Sequence, residues 1–447
     1  MSAAVDAARS LPGGRDWIVT PARAPLRGTV TVPGDKSVSH RALMLAALAD
    51  GSSRIEGFLE GEDTLATGRI LQQLGVAIEA PAPGVRVVHG VGLHGLRGSD
   101  AALDCGNAGT GMRLLAGLLA GQHFDSTLVG DASLSRRPMG RVIRPLTAMG
   151  ARIDSAEGRP PLHVRGGTPL HGGVYATEVA SAQVKSAILL AGLYARGTTE
   201  VREAQPTRDY TERMLEAFGW PIAYGAGWAR LEGGHALRAG TVQVPADFSS
   251  AAFLMVAATL VPGSDLQLLR VGLNGRRTGL LAVLRAMGAD ITVTGERRLG
   301  GEVVGDLRVR HAPLRGIAVD PARAPDMIDE FPVLFAAAAC AQGTTRVQGA
   351  AELRVKESDR IAVMATALRA LGARVEETPD GAVIEGGPLH GGRVDSRGDH
   401  RCAMSLAVAG LRADAPIRID DCANVATSFP GFEALAQGLG LSLQVLP

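Results

Sequence analysis

Lys36, Ser37, Ser39, His40 and Arg41 crowd into six positions ahead of the apolar run Ala42–Leu48. The Gly-Asp-Lys-Ser string resembles a nucleotide phosphate loop, but the Walker spacing G-x-x-x-x-G-K-[ST] is absent. Comparable polar sets precede other apolar runs: Asn107, Thr110 and Arg113; Ser181, Gln183 and Lys185; Asp247, Ser249 and Ser250; Asp326, Asp329 and Glu330; Asp399, His400 and Arg401. A second series precedes amphipathic stretches: Arg136, Arg137 and Arg141; Arg208 and Asp209; Lys356, Glu357 and Arg360. Ser and Asp at a helix start serve as N-caps, which accounts for Ser249, Ser250 and Asp326. Capping does not account for the cations. Near a helix N-terminus a Lys or Arg opposes the macrodipole, at a cost of about 0.3–1 kcal/mol. Lys36, Arg41, Arg113, Arg137, Lys185, Arg208, Lys356, Arg360 and Arg401 all carry that conflict. A bound anion resolves it, because backbone N–H groups, dipole and side-chain charge then converge on one negative group. So many cations, with Asp329 and Glu357 among them, suit two anionic substrates and a carboxylate pair for proton transfer. Charge balance is the other reading of the carboxylates. His40 and His400 are open to acid–base or structural roles.

The elements that must position these residues repeat along the chain. Six phrases end in a Leu, Met or Phe followed by Gly and a strand-like tail; their glycines are Gly75, Gly150, Gly219, Gly288, Gly372 and Gly440. This is the pattern of a helix stopped by a C′ glycine before a strand. Upstream of each lies an apolar helix such as "ALMLAALADG" or "AAFLMVAATLVPG". The chain therefore reads as six units, each strand, buried helix, strand, amphipathic helix, turn and one or two strands. No polar end caps of a solenoid are present, so closure of three units around their own buried helices, twice, is expected. The divide is expected between Val244 and Asp247, with "DWIVTPA" completing the second domain. That gives a flexible tail over 1–16, a first domain over 34–246, and a second over 17–33 plus 247–447.

Composition narrows the chemistry. A net charge of +1 and 4% aromatic residues oppose a nucleic-acid binder. Apolar runs are about half of the ~20 residues a membrane span needs, so no membrane association is expected. The four cysteines, Cys105, Cys340, Cys402 and Cys422, form no metal or disulfide spacing and fit a reducing cytoplasm as small apolar fillers. Neither metal nor cofactor is called for.

The motifs "PGDKSVSHRAL", "GNAGTGMRLLAG", "SRRPMGRVI", "SAQVKSAILLAGL", "RVKESDRIA" and "DHRCAMSLAVAGL" occur in order, and with them the chain resembles the 5-enolpyruvylshikimate-3-phosphate synthase family from about residue 17 to 445. It is similar to the bacterial subgroup with "SAQVKSA", "MIDEFP" and "ATSFP". The resemblance implies an α/β fold of two similar domains, each three βαβαββ units around buried parallel helices. It also implies enolpyruvyl transfer from phosphoenolpyruvate to the 5-hydroxyl of shikimate 3-phosphate, by addition and then elimination of phosphate. By motif, Lys36, Ser37 and Arg41 would hold shikimate 3-phosphate, with Lys36 also near phosphoenolpyruvate. Ser181, Ala182, Gln183 and Arg208 would sit at the phosphate and ring of the same substrate. Gly109 would line the phosphoenolpyruvate pocket, and Arg137, Arg360 and Arg401 would clamp its anionic groups. Lys356 would bond the shikimate hydroxyls or the intermediate. Asp329 resembles the proton acceptor, and Glu357 the acid that protonates the methylene carbon; the resemblance leaves Lys36 open as the alternative donor. A monomer is expected.

Three positions depart from the family pattern. Asp35 replaces the commoner Ser, Gly111 stands where Ala is usual, and Thr427 stands where some members carry a phosphate-binding Lys. An Ala in place of Gly109 is associated in the family with resistance to glyphosate, so Gly109 implies a sensitive site. The sister transferase acting on a UDP-aminosugar carries a loop Cys that "GDASLSRRPMGR" lacks. A non-catalytic phosphate-binding homologue would have lost Lys356, Asp329 or Glu357, and all three are present.

Overall fold

The computed structural model describes residues 15–446. Its core helices are six: α1 (Lys36–Leu48), α2 (Gly109–Ala120), α3 (Ala182–Gly192), α4 (Phe248–Leu260), α5 (Phe331–Ala339) and α6 (His400–Gly410). Being apolar on all sides, they have no face that gains from water, and every residue of α4 and α5 is buried. Four begin at side-chain caps. Asp35 accepts from Val38 N at 2.9 Å, Ser181 from Val184 N at 3.4 Å, Asp247 from Ser249 N at 2.7 Å and Asp399 from Arg401 N at 2.9 Å. The amphipathic helices Glu62–Gln73, Gly140–Ala148, Tyr210–Ala217, Gly279–Ala286, Arg360–Ala370 and Phe432–Gly438 lie outside them. Each ends at one of the repeat glycines, all six with positive φ, the conformation in which a side chain would be strained.

The sheets repeat one pattern. In Leu103–Asp104, Ser126–Val129, Arg159–Arg165 and Arg152–Ala156, the first pair is parallel and the next two are antiparallel. His171–Thr177, Arg196–Glu203, Trp228–Glu232 and Ile222–Gly225 follow the same order. Three units borrow a strand from elsewhere. Leu237–Arg238 and Thr241–Gln243 pair with Ala49–Glu56 in the first sheet, Arg27–Val30 pairs with Asp265–Gly272 in the fourth, and Asp16–Val19 sits between Ile417–Asp420 and Leu443–Leu446 in the last. One core gathers residues between Val38 and Val244; the other gathers Trp17 to Val32 and Ala246 to Leu443.

The chain passes between these halves twice, side by side. Asp35 N donates to Pro245 O and Asp247 N to Pro33 O, both at 2.8 Å, around a bridge from Gly34 to Ala246. A Cβ on Gly34 would sit 1.8 Å from the Gly57 carbonyl oxygen, so no other residue fits there. Of the tail expected over 1–16, residues 1–14 lie outside the described residues. Arg15 and Asp16 do not behave as a tail: Arg15 O accepts from Cys422 N at 2.8 Å, and Asp16 pairs with Leu446 in register.

Candidate active site

A cleft of about 420 Å³ opens between the halves. Its walls carry Lys36 and Ser37 of α1, Gly109, Thr110 and Arg113 of α2, Ala182 and Gln183 of α3, Asp247 before α4, Asp329 before α5, and His400 and Arg401 of α6. All six core helices therefore aim their N-termini at one space, and their dipoles favour anions there.

On the first half, the Lys36 ammonium pairs with the Asp63 carboxylate. Gln183 is fixed from both ends: Arg113 Nη1 donates to its Oε1 at 2.7 Å, and its Nε2 donates to Thr110 Oγ1 at 2.8 Å. Gly109 leaves a space that a Cβ would fill, 2.9 Å from Arg137 Nη1 and 3.3 Å from Arg113 Nη1. Arg137 crosses the cleft, with Nη1 3.3 Å from Glu357 Oε1 and Nη2 donating to Asn107 Oδ1. Burial, then the neighbouring Arg137, pulls the Arg113 pKa down to about 10. Burial, then Arg208, does the same to Arg41. Crowding of this kind is relieved when anions bind.

The second half supplies the carboxylates. Asp329 Oδ2 lies 3.0 Å from Arg277 Nη1 and 3.4 Å from Arg208 Nη1, while Oδ1 lies 3.5 Å from Arg360 Nη1. Burial pushes this acid up, but Arg401, Lys356, Arg208 and Arg277 outweigh burial and hold it well below the usual carboxylate range. Glu357 Oε2 lies 2.6 Å from Arg360 Nη2. Burial again raises its pKa, and Arg360, Arg137, His400 and Lys356 more than reverse that. Arg360 thus bridges the two acids, and its Nε is held 2.9 Å from Asp399 Oδ2, the cap of α6. Arg401 Nη1 donates to the Asp329 carbonyl at 3.1 Å. Burial lowers the Lys356 pKa. Burial, then Lys36, lowers His400 to about 3, so this ring is neutral at pH 7.

The cleft gathers Lys36, Ser37, Gly109, Arg137, Ser181, Ala182, Gln183, Arg208, Asp329, Lys356, Glu357, Arg360 and Arg401. Arg41 stands one layer behind. It donates from Nε to Thr211 Oγ1 at 2.7 Å, from Nη2 to Ser186 Oγ at 2.8 Å, and from Nη1 to the Ser37 carbonyl at 2.8 Å. His40 is also behind the wall, bonded through Nδ1 to Thr67 Oγ1 at 2.8 Å, and burial drives its pKa well down. Gly111 gives that pair room, since a Cβ would lie 2.9 Å from Thr67 Oγ1. Asp35 points away from the cleft, capping α1 and accepting from the Tyr210 hydroxyl at 3.3 Å. Thr427 is buried outside the cleft lining and donates to Asn424 O at 2.7 Å.

Among the lining residues that escaped the sequence reading, Asp63 and Arg277 touch its candidate site residues directly. Asp63 looks like an ordinary acidic residue in the first turn of Glu62–Gln73. Arg277 lies in "NGRRTG", ahead of Gly279–Ala286, at the place where "SRRPMG" and "VKESDR" precede their own outer helices. That repeat position was the available signal. Among the described residues, no group of three or more His, Cys, Asp or Glu is arranged to hold a metal, and no helix is long and apolar enough to cross a membrane.

A family model for EPSP synthase (3-phosphoshikimate 1-carboxyvinyltransferase) matches residues 21–435. The 3-phosphoshikimate 1-carboxyvinyltransferase of Xanthomonas campestris pv. campestris is 63% identical over 432 residues, 96% of this chain and 98% of that one. That of Xanthomonas oryzae pv. oryzae is 62% identical over 429 residues, 96% of this chain and 97% of the relative. The solved EPSP synthase of Acinetobacter baumannii superposes with a TM-score of 0.87 at 49% identity, covering 97% of this chain and 100% of that chain.

Proposed function

The chain belongs to the EPSP synthase family of 3-phosphoshikimate 1-carboxyvinyltransferases, and on that premise we propose how its cleft performs the reaction. The enzyme transfers the enolpyruvyl group of phosphoenolpyruvate to the 5-hydroxyl of shikimate 3-phosphate and releases phosphate, a step of the shikimate pathway to aromatic amino acids. One observation carries the assignment of roles: two half-buried carboxylates, Asp329 and Glu357, share a cation-lined cleft and are bridged by Arg360.

Lys36, Ser37, Ser181, Gln183 and Arg208 receive shikimate 3-phosphate, with Ala182 beside its ring, Lys356 at its hydroxyls, and Arg41 holding the Ser37 backbone from behind. Arg137, Arg360 and Arg401 receive the carboxylate and phosphate of phosphoenolpyruvate, and Gly109 leaves room for it. Each incoming anion takes up positive charge that otherwise acts on Asp329 and Glu357. Both carboxyl pKa values therefore rise on binding, Glu357 towards a protonated acid and Asp329 towards a useful base. Asp329 takes the 5-hydroxyl proton as that oxygen bonds to C2 of phosphoenolpyruvate, while Glu357 gives its proton to C3. In the elimination Glu357 recovers a proton from the new methyl group, the C–O bond to phosphate breaks, and Asp329 returns its proton to the leaving phosphate. The surrounding cations stabilise the intermediate's charge. In this reading Glu357 is the donor, and the Lys36 ammonium, paired with Asp63, contributes charge.

The two halves are proposed as domains, 34–246 and 17–33 plus 247–447. A monomer acting in the cytoplasm is proposed as well: one chain furnishes both walls of the cleft, and its four cysteines are free thiols. Phosphate release from shikimate 3-phosphate and phosphoenolpyruvate tests the roles. Asp329→Ala and Glu357→Gln should each lower kcat by about 10²–10⁴-fold, the worth of a positioned base or acid. Turnover by Asp329→Ala equal to wild type would remove Asp329 from the chemistry.

A further inference from the structure

We propose that Arg277 is a positioning residue for proton transfer: it pins Oδ2 of Asp329 and leaves Oδ1 as the oxygen that receives the hydroxyl proton. The inference rests on Asp329 being the base. Oδ2 carries two guanidinium contacts, Arg277 Nη1 at 3.0 Å from its own half and Arg208 Nη1 at 3.4 Å from the other. Oδ1 carries one, Arg360 Nη1 at 3.5 Å. An oxygen already accepting from two charged donors has little capacity for a third hydrogen. The less engaged oxygen of the same carboxylate is the one free to accept it.

Arg277 is itself held rigidly. It is 4% exposed, its Nη2 donates to Ser249 Oγ and lies 3.8 Å from Asp247 Oδ1, and its Nη1 lies 3.4 Å from Glu330 Oε1. The turn that carries it is closed by Arg277 N donating to Asn274 O at 2.8 Å. Asn274 Nδ2 in turn donates to Asp209 Oδ1 at 2.6 Å, a residue of the other half and next in sequence to Arg208. The two guanidiniums on Oδ2 are thereby tied to each other through Asn274 and Asp209. Arg277 sets the carboxylate from within its own half, and contact between the halves adds Arg208.

The charged groups facing Asp329 are Arg208, Arg277, Glu330, Lys356, Arg360 and Arg401. Burial works against ionisation and the cations favour it, so losing one cation raises the pKa of Asp329. The acid limb of kcat then moves to higher pH.

The test compares Arg277→Lys, and Arg277→Met combined with Glu330→Gln to keep the buried charge balanced, with Asp329→Asn as control. Thermal melts confirm that each variant folds. The double variant should lose about a hundredfold in kcat, with KM for both substrates within about threefold, the signature of a displaced reacting group. Arg277→Met alone, which removes the cation and keeps Glu330, should move the acid limb up by about one pH unit or more. Arg277→Lys, which keeps the charge, should hold the wild-type limb and recover part of kcat. A folded double variant with wild-type kcat overturns the proposal, as does a loss confined to KM. Failure of both variants to fold assigns Arg277 to folding and overturns it too. Activity surviving in Asp329→Asn refutes the base assignment itself. An inert Asp329→Asn beside unaltered Arg277 variants refutes only the positioning role.

Discussion

An alanine at position 109 should weaken one substrate and spare the other. Its Cβ would lie 2.9 Å from Arg137 Nη1, whereas ordinary contact begins near 3.4 Å, so Arg137 has to retreat by about 0.5 Å. That guanidinium is already held by Glu357 Oε1 at 3.3 Å and by Asn107, so it can move only by disturbing those contacts. A hydrogen bond to a charged group is worth about 1.5–3 kcal/mol, and weakening it by roughly half to two-thirds costs about 1–2 kcal/mol. KM for phosphoenolpyruvate should therefore rise about 5–30-fold. Arg113, at 3.3 Å from the same Cβ, needs to give only about 0.1 Å, and its 2.7 Å bond to Gln183 survives. KM for shikimate 3-phosphate should then stay within about twofold, a free-energy change under about half a kcal/mol. Initial rates of phosphate release, with each substrate varied in turn, separate the two constants. An unchanged constant for phosphoenolpyruvate, or an equal rise in both, would refute the assignment of this wall of the cleft.

Three further outcomes follow from the same geometry. Glyphosate should inhibit the wild-type enzyme in competition with phosphoenolpyruvate and should inhibit Gly109→Ala less; a rate unaffected by millimolar glyphosate contradicts the space beside Gly109. Lys185 is buried at 2.8 Å from both Glu203 and Glu212, so Lys185→Met should destabilise the fold by about 3–5 kcal/mol in urea titrations; a loss under about 1 kcal/mol would show the two acids to be neutral already. Burial, then Asp247, raises Asp35 from 3.8 to about 6, against the pull of Arg277 and Arg208. A raised acid favours the fold below pH 3.8 and loses that contribution as pH climbs through about 6. Asp35→Asn, which still caps α1, should accordingly be more stable than wild type at pH 8, by at most about 3 kcal/mol, with the gain vanishing below about pH 4. Melting curves at both pH values decide it, and a gain independent of pH removes the titration of Asp35 as the cause.

Much of the fold was legible because its signals are local. A helix that is apolar all round must be enclosed, and Gly75 or Gly288 ends a helix because it alone adopts positive φ cheaply. Cations at helix starts marked the cleft for a similar reason, since the dipole they oppose belongs to the same few residues. Local signals run out where a side chain's partner is remote. Arg41 bears the same mark as Lys36, yet Thr211 and Ser186 draw it behind the wall. Thr427, which departs from the lysine some family members carry, lies outside the cleft lining and bonds Asn424. Asp63 and Arg277 went unnoticed because an acid in a first turn and an arginine in a loop are ordinary until one sees what they touch.

The sequence by itself determined the six-unit α/β architecture, the two passages of the chain near residues 33 and 246, and most of the cationic residues that line the cleft. Those properties depend on periodicity and on capping within a turn or two of helix, and so on residues close together in the chain. Tertiary structure alone decided which oxygen of Asp329 is pinned, how Arg360 reaches both acids, and which half supplies each contact. Arg208 meets Asp329 across 121 positions and Arg137 meets Glu357 across 220. No local pattern encodes such pairs; they exist because two separately packed cores bring their helix N-termini to one cleft.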